Sequence, residues 1–203
     1  DGVFSKGKSL ISNNKSEPIY NNIIAVRGSI SKESLDNINK DNISLFLGSD
    51  FHYVIYPVDK SKNFNFIGIL KYKLTLKEQK NRKLFDENFF IEKIKDKFSQ
   101  KISPMIFENL KDMKLFPVFV SKDIYNSPKN IFLVGDAFFA FPPSFAQGAS
   151  QSIESAKELF DQIKNNNGAY YKKRIKKINS INWRSQLNYF TFQLSNPLLI
   201  FFR

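Results

Sequence analysis

Residues 130–160 read NIFLVGDAFFAFPPSFAQGASQSIESAKELF, and the order of elements in this stretch decides the fold. The apolar run at 131–134 is typical of a strand buried on both faces. Gly135 and Asp136 end that run, and a proline-containing loop follows. Apolar residues then recur at the spacing of an amphipathic helix, at Ala149, Ile153, Ala156, Phe160 and Ile163. The stretch therefore predicts an α/β protein in which a strand ends in a carboxylate beside the start of a helix.

The carboxylate and the helix start can bind one ligand together. Asp136, at the end of a buried strand, can accept hydrogen bonds from a sugar or polyol. The helix that begins near Gln147 carries about half a positive charge at its N-terminus, which favours an anion. Gly148 lets a ligand approach the backbone closely. An ordinary strand, loop and helix with a solvated aspartate would have the same spacing, so spacing alone leaves both interpretations open.

The same residues resemble the second flavin-contacting motif of the single-component FAD-dependent aromatic hydroxylases, the family of para-hydroxybenzoate and salicylate hydroxylases. The family motif has an apolar strand, G-D-A-A-H, a proline loop, G-Q-G or A-Q-G, and a helix containing E-D-A. The corresponding segments here are GDAFF at 135–139, PP at 142–143, AQG at 146–148 and ESA at 154–156. Phe139 stands where the family often has His, and Ser155 where it usually has Asp.

The start of the chain resembles another motif of the same family, D-G-x-x-S-x-x-R, which lies between the flavin pyrophosphate and the path of the nicotinamide cofactor. Asp1, Gly2 and Ser5 match it, whereas Lys8 replaces the arginine. Lysine keeps the charge but lacks the fork that binds phosphate with two hydrogen bonds. The family's G-x-G-x-x-G fingerprint, which precedes this motif, does not occur in the sequence. We therefore expect a C-terminal portion of a longer enzyme that does not hold FAD firmly by itself.

The resemblance implies an FAD site with NAD(P)H as electron donor. Asp136 would hold the ribityl chain of the flavin, and Pro143 would shape the pocket in which oxygen reacts. The helix start would face the flavin pyrimidine, where negative charge develops on reduction. The residues implied in cofactor binding are Asp1, Gly2, Gly135, Asp136, Pro143, Ala146, Gln147, Gly148 and Ala149.

Strand patterns dominate the segment between the two motifs. Candidate strands lie at 23–28, 44–48, 52–58 and 64–74, with a polar hairpin turn at 59–63. Two short helices are expected within 84–115, the second starting near Pro104, and 116–120 reads as a last strand. These segments resemble the family's substrate-binding sheet. The prediction is an α/β protein, α+β in this portion, in which part of a Rossmann-like FAD-binding domain accompanies a mainly antiparallel substrate domain and C-terminal helices.

The expected division along the chain follows from these motifs. Residues 1–20 and 126–167 would belong to the FAD domain, 21–125 to the substrate domain, and 168–203 to a C-terminal helix and tail. The asparagine and glycine residues at 165–168 should stop the first long helix. The next helix resembles a Y-x-x-x-R packing helix of the family. Its apolar face would carry Tyr171, Ile175, Ile178 and Ile181 or Asn182, and its basic cluster at 172–177 reads as a solvated face.

His52 and Tyr56 are the candidate catalytic residues. His52 is the only histidine, and in a strand these two residues point to the same face. Deprotonation makes a phenol more reactive, histidine is a natural base near neutral pH, and tyrosine can position or relay the proton. A strand histidine that only packs, beside a tyrosine that only packs, explains the same spacing.

Composition limits the class of protein. The chain of 203 residues has no cysteine, which excludes disulfides and thiolate metal sites and suits a reducing, cytoplasmic compartment. The net charge of +12 comes without any nucleic-acid-binding signature, so nucleic acid is not the expected partner. No apolar run approaches the roughly 20 residues that span a bilayer; the apolar tail at 197–202 is far shorter, although peripheral membrane contact stays possible.

The resemblance thus implies an FAD-dependent monooxygenase that inserts one atom of O2 into a small aromatic or otherwise apolar substrate. Two alternatives stay open. Phe139 leaves room for a relative of the flavin dehydrogenases, reductases or halogenases. The second alternative is that the chain is a non-catalytic fragment that acts through its basic surface.

Overall fold

The computed structural model describes residues 1–12, 17–31, 33, 35, 38–39, 41–58, 63–125, 131–166, 168, 170–194, 196 and 198. The chain divides into two compact units. Unit 1 comprises Asp1–Asn21 and Phe119–Phe190, and unit 2 comprises Asn22–Val118 and Thr191–Arg203. The described residues combine helices with a mainly antiparallel sheet, which confirms the predicted fold class.

A five-stranded sheet in the order β2-β3-β4-β1-β5 forms the centre of unit 2. Its strands are β1 Ile19–Ser31, β2 Ser44–Gly48, β3 Phe51–Pro57, β4 Asn63–Lys71 and β5 Leu110–Val120. The pairs β2–β3, β3–β4 and β4–β1 are antiparallel. The predicted hairpin between β3 and β4 is confirmed, with Phe51 opposite Leu70. The predicted turn at 59–63 lies outside the described residues except for Asn63, which begins β4.

Three short helices and one 3-10 turn lie between β4 and β5. They are α2 Leu76–Lys80, the 3-10 turn Arg82–Asp86, α3 Asn88–Ser99 and α4 Pro104–Glu108. Pro104 is at the start of α4, as predicted, and Ser103 caps that helix by accepting from the Ile106 amide. The expectation of helix as far as residue 115 is wrong, because β5 begins at Leu110. Pairing with the sheet overrides a helix-like spacing of apolar residues here.

The core of unit 2 includes an aromatic cluster between α3 and the sheet. Phe98 of α3 packs edge-on against Phe51 and Phe66, with ring centroids 5.2 and 5.6 Å away. A Cβ atom on Gly68 of β4 would lie 2.9 Å from the Phe98 ring. Glycine at this position therefore allows the helix to approach the strand closely.

Unit 1 contains α1 Lys6–Ile11, α5 Gly148–Asn165 and all but the last two residues of α6 Tyr170–Phe192, together with 3-10 turns at Gly2–Phe4, Gly135–Ala137 and Pro143–Phe145. Its core is formed by Leu133, Phe138, Phe139 and Ile178. The predicted buried strand at 131–134 is wrong. This segment forms no ladder with another described residue, and Ile131 is 47% exposed. A strand needs a hydrogen-bonded neighbour, and no described strand lies beside this segment.

The helix predicted to begin near Gln147 is confirmed as α5. Its apolar stripe faces outward, with Ile153, Phe160 and Ile163 largely exposed, whereas Gln151 and Ser155 are buried. The polar side is inward because hydrogen-bonding groups of α6 and of the turn at Gly135 meet it there. The predicted stop is confirmed: α5 ends at Asn165, and Asn166 adopts the left-handed conformation with φ 47°.

The predicted apolar face of α6 is confirmed: Ile178 and Ile181 are buried, and Tyr171 and Ile175 pack partly buried against the core of unit 1. The buried residues of α6 are Tyr170, Arg174, Ile178, Ile181 and Ser185. Arg174, which the sequence placed in a solvated basic cluster, is 2% exposed. A buried arginine requires partners, and α5 supplies them.

Candidate functional site

A cleft of about 440 Å³ in unit 1 brings together two segments that are far apart in the chain. Its walls are formed by Asp1, Gly2, Ser5, Phe132, Leu133, Val134, Gly135, Asp136, Ala137 and Ser152. Four of the predicted cofactor residues, Asp1, Gly2, Gly135 and Asp136, therefore line one cavity. More than 130 residues separate the first two of these from the last two along the chain.

The first turn of the chain holds the Asp1 carboxylate at the cleft. Asp1 Oδ2 accepts hydrogen bonds from Ser5 Oγ at 3.2 Å and from the Gly7 amide at 3.4 Å. Ser5 is also the N-cap of α1, where its Oγ accepts from the Lys8 amide at 3.1 Å. The conformation of Gly2, with φ 66°, favours glycine. One serine thus connects the helix cap with an acidic wall of the cleft.

The turn before Asp136 requires glycine for two reasons. Gly135 has φ 57°, and a Cβ atom there would lie 2.7 Å from Ser152 Oγ. The Gly135 amide donates to Ser155 Oγ at 3.1 Å, and Ser155 Oγ donates to the Ser152 carbonyl at 2.8 Å. Two serines of α5 therefore fix the position of the Gly135–Ala137 turn.

Asp136 presents an available acceptor to the cleft. Its side chain is exposed, and no hydrogen bond joins its carboxylate to another described residue. Partial burial by the cleft walls raises the pKa of the Asp136 carboxyl above its ordinary value, because it removes water from the charged form. A ligand that donates hydroxyl hydrogens to this carboxylate would replace the missing water.

The remaining predicted cofactor residues do not line this cleft. Gly148 borders a second cavity of about 10 Å³, which also touches Gly135 and Asp136. Gln147 is the N-cap residue of α5 and provides no side-chain cap, which leaves the first amides of the helix available. Pro143, Ala146 and Ala149 are exposed, and Ala146 is left-handed with φ 51°.

Lys8, the residue that replaces the family's arginine, points into the protein. It is 3% exposed, and its Nζ donates to Ser121 Oγ at 3.0 Å and to the Phe138 carbonyl at 3.2 Å. Burial lowers the pKa of Lys8, and the charge of Asp123 opposes this effect. Lys8 therefore connects α1 to two other segments of unit 1, and it is absent from the walls of the cleft.

Sequence reasoning missed the polar network behind the Gly135 turn. Arg174 Nη2 donates to Gln151 Oε1 at 3.0 Å, and Arg174 Nη1 lies 3.4 Å from Glu158 Oε2. The Tyr170 hydroxyl donates to the Leu133 carbonyl at 2.8 Å, and burial raises the pKa of Tyr170 to about 12. The spacing of Tyr170 and Arg174 by four residues signals a shared helix face, but their partners on α5 have no such signal.

The candidate catalytic residues lie on β3 in unit 2. His52 is 3% exposed; its Nδ1 lies 3.5 Å from Gln193 Nε2, and its ring packs edge-on against Phe192. The Tyr56 hydroxyl accepts a hydrogen bond from Asn65 Nδ2. Four residues along a strand correspond to about 13 Å. The side chains of His52 and Tyr56 lie on the same face of the strand, because side chains alternate along it. At this separation a proton cannot pass directly between them.

Several solved structures share the fold of this chain. HpxO from Klebsiella pneumoniae, in complex with FAD and uric acid, matches with a TM-score of 0.76 at 15% identity, over 98% of this chain and 52% of that one. For 2,6-dihydroxypyridine-3-hydroxylase from Arthrobacter nicotinovorans the TM-score is 0.78 at 14% identity, over 98% of this chain and 59% of that one. A salicylate hydroxylase substrate complex matches with a TM-score of 0.75 at 16% identity, over 97% of this chain and 55% of that one.

These matches confirm the fold that the resemblance implied. The chain spans a little over half the length of the solved structures it matches. No family profile matches the sequence, and no curated protein gives a significant sequence match.

Proposed function

We propose that this chain is part of an FAD-dependent monooxygenase that inserts one oxygen atom from O2 into a small aromatic or apolar substrate, with NAD(P)H as electron donor. The observation that carries the proposal is the meeting of Asp1 and Gly2 with Gly135 and Asp136 in one cleft. The shared fold supports it, since the matched proteins include one in complex with FAD and uric acid and a salicylate hydroxylase.

The residues of unit 1 fit the chemistry of FAD. The unpartnered carboxylate of Asp136 suits the hydroxyl groups of a ribityl chain, and Gly2, where a Cβ atom would meet nothing within 4 Å, leaves space for a ligand near the backbone. We assign Asp1, Gly2, Gly135 and Asp136 to the cleft end of the cofactor. Pro143, Ala146, Gln147, Gly148 and Ala149 are assigned to the loop and helix start that follow. Bound FAD would supply the redox chemistry with O2, while the protein supplies position and electric field.

Each element of unit 1 has a defined task in this proposal. Asp136 orients the cofactor by accepting hydrogen bonds, and Ser155 holds the turn that carries it. The uncapped start of α5 stabilises negative charge through its free amides and helix dipole. Unit 2 is assigned to substrate binding.

We assign the substrate chemistry to His52 and Tyr56. The contact with Gln193 Nε2 favours the His52 tautomer in which Nδ1 accepts and Nε2 carries the proton. His52 is assigned the role of the base, which takes the substrate proton on Nδ1, the ring nitrogen that accepts in this tautomer. Tyr56 positions the substrate from the same strand face, with Asn65 holding its hydroxyl.

Flavin binding tests the cofactor assignment. In the intact enzyme that contains this chain, Asp136→Ala removes a charged acceptor worth about 1.5–3 kcal/mol, so the FAD dissociation constant should rise roughly 10- to 150-fold. Asp136→Asn should lose less, because its amide oxygen still accepts. Asp161→Ala is the matched control, since Asp161 pairs with Lys157 on the surface of α5. Unchanged FAD affinity in both Asp136 variants would remove Asp136 from the cofactor site.

Coupling between cofactor consumption and product formation tests the substrate assignment. His52→Ala should lower the hydroxylation rate by roughly 10²–10⁴, the usual contribution of a general acid or base. Product formed per NAD(P)H consumed should fall, while FAD content stays normal. Tyr56→Phe removes only the hydroxyl group, so it separates substrate positioning from packing. If rate and coupling survive both substitutions, the two residues only pack.

A further inference from the structure

The outer face of α6 forms an exposed ridge that the proposed function does not use. The ridge consists of Lys172, Lys176, Trp183, Leu187 and Phe190. At about 100° per residue these five positions fall within an arc of roughly 60°. Trp183, Leu187 and Phe190 are 66%, 45% and 60% exposed. The ridge is opposite the buried face that carries Arg174 and Ile178.

The ridge is basic at one end and apolar at the other. No acidic residue occurs between Tyr170 and Phe192, whereas Lys172, Lys173, Lys176, Lys177 and Arg184 are all exposed. Of these, Lys177 pairs with Glu154 of α5. Over 23 residues the helix is about 35 Å long, so the lysine end and the aromatic end are separated along its axis.

We propose that this ridge docks on an anionic lipid surface, with Trp183, Leu187 and Phe190 in the interface and Lys172 and Lys176 at the headgroups. Tryptophan prefers the boundary between water and acyl chains, because its ring is amphipathic. Basic side chains on the same face add attraction to anionic lipids. Among the described helices none is long and apolar enough to cross a membrane, so α6 lies in the plane of the interface.

Charge distinguishes this surface from the apolar stripe of α5. The α5 stripe also exposes Ile153, Phe160 and Ile163, but the charges of that helix are mixed, since its two lysines, Lys157 and Lys164, are outnumbered by Glu154, Glu158 and Asp161. A helix without an excess of positive charge gains little attraction from an anionic surface. The α6 ridge combines exposed apolar area with positive charge only, and the whole chain carries a net charge of +12. Of the two exposed stripes, only α6 is complementary to anionic lipid.

Trp183 is the only tryptophan in the chain, which makes it a direct probe of its own docking. The 203-residue chain is mixed with vesicles of phosphatidylcholine plus phosphatidylserine, or of phosphatidylcholine alone. With the mixed vesicles Trp183 emission should shift to the blue, and lipids brominated on the acyl chains should quench it. The shift should weaken as salt is raised, because salt screens exposed charges.

Variants separate the two ends of the ridge. Leu187→Ser with Phe190→Ser should abolish the blue shift. Lys172→Ala with Lys176→Ala should lower the vesicle partition coefficient roughly 10- to 30-fold, since each surface lysine contributes about a factor of five. Phe89→Ser in unit 2 removes an aromatic ring that is 80% exposed, and Lys111→Ala with Lys114→Ala removes two exposed lysines. These matched controls should bind vesicles like the parent chain.

Three results would overturn the proposal. Emission that stays unchanged with phosphatidylserine vesicles at low salt excludes lipid docking of the ridge. Vesicle binding without quenching of Trp183 places the lipid contact elsewhere on the chain. A blue shift that grows with protein concentration in the absence of lipid assigns the ridge to a second copy of the chain.

Discussion

The Gly135 amide donates to the Ser155 hydroxyl at 3.1 Å. This bond joins the turn that carries Asp136 to the middle of α5. Ser155 is 1% exposed, and its hydroxyl in turn donates a hydrogen bond to the Ser152 carbonyl. The family motif usually has Asp where this chain has Ser155. A neutral hydroxyl here bonds the turn without adding negative charge behind Asp136.

Ser155→Ala should destabilise unit 1 through the turn. The substitution leaves the partly buried Gly135 amide without its acceptor, which costs about 1 kcal/mol. Urea denaturation followed by far-UV circular dichroism measures the free energy of unfolding. Ser150→Ala is the control on the same helix, because Ser150 is exposed and donates only to the nearby Gln147. Equal stability of the two variants would show that the Gly135 bond contributes nothing.

Arg174→Met should be among the more damaging substitutions in α6. It leaves Glu158, Glu154 and the Gln151 side chain without their buried cation. The glutamates are partly exposed, so the loss should be about 2–3 kcal/mol, below the 3–5 kcal/mol of a fully buried pair. Lys176→Met on the solvent side of α6 should change the free energy of unfolding by less than about 0.5 kcal/mol. A thermal melt that ranks the two variants equally would contradict the structural role of Arg174.

Lys8→Met should change how stability depends on pH. Burial lowers the folded-state pKa of Lys8 below its ordinary value of 10.5. Between the lowered pKa and 10.5 the unfolded chain binds a proton that the folded chain has released, so the free energy of unfolding rises with pH. The Lys8→Met variant lacks this gain. Its stability relative to the parent should therefore fall as pH increases in that window, whereas exposed Lys6→Met should follow the parent.

The parent chain should lose stability at high pH because of Tyr170, and Tyr170→Phe should not show this loss. The folded-state pKa of Tyr170 is raised to about 12 from 10.0. Between these values the unfolded chain has released a proton that the folded chain retains, so the parent loses up to roughly 2–3 kcal/mol as pH rises. Tyr171→Phe is the control, since its more exposed hydroxyl makes a similar bond to the Ile131 carbonyl. Parallel pH curves for the parent and Tyr170→Phe would contradict the assignment.

Local patterns in the sequence determined the elements whose signals are short-range. Two strand-like runs joined by a polar turn predict the hairpin of β3 and β4, the proline at 104 predicts the start of α4, and the asparagines after 164 predict the end of α5. The two motifs around Gly2 and Asp136 indicate the fold that the solved structures share. Backbone preferences and side-chain spacing are enough for these features, since each depends on residues close in the chain.

Partners distant in the chain decided the rest. The inward polar side of α5 depends on Arg174 and on the turn at Gly135, and no pattern within 148–165 encodes either contact. The segment at 131–134 has the composition of a strand, but it forms no ladder with any other residue that the structure describes. The sequence by itself named Asp1 and Asp136 as candidates. Only the tertiary structure placed them in one cleft, because their meeting depends on packing between segments more than 130 residues apart.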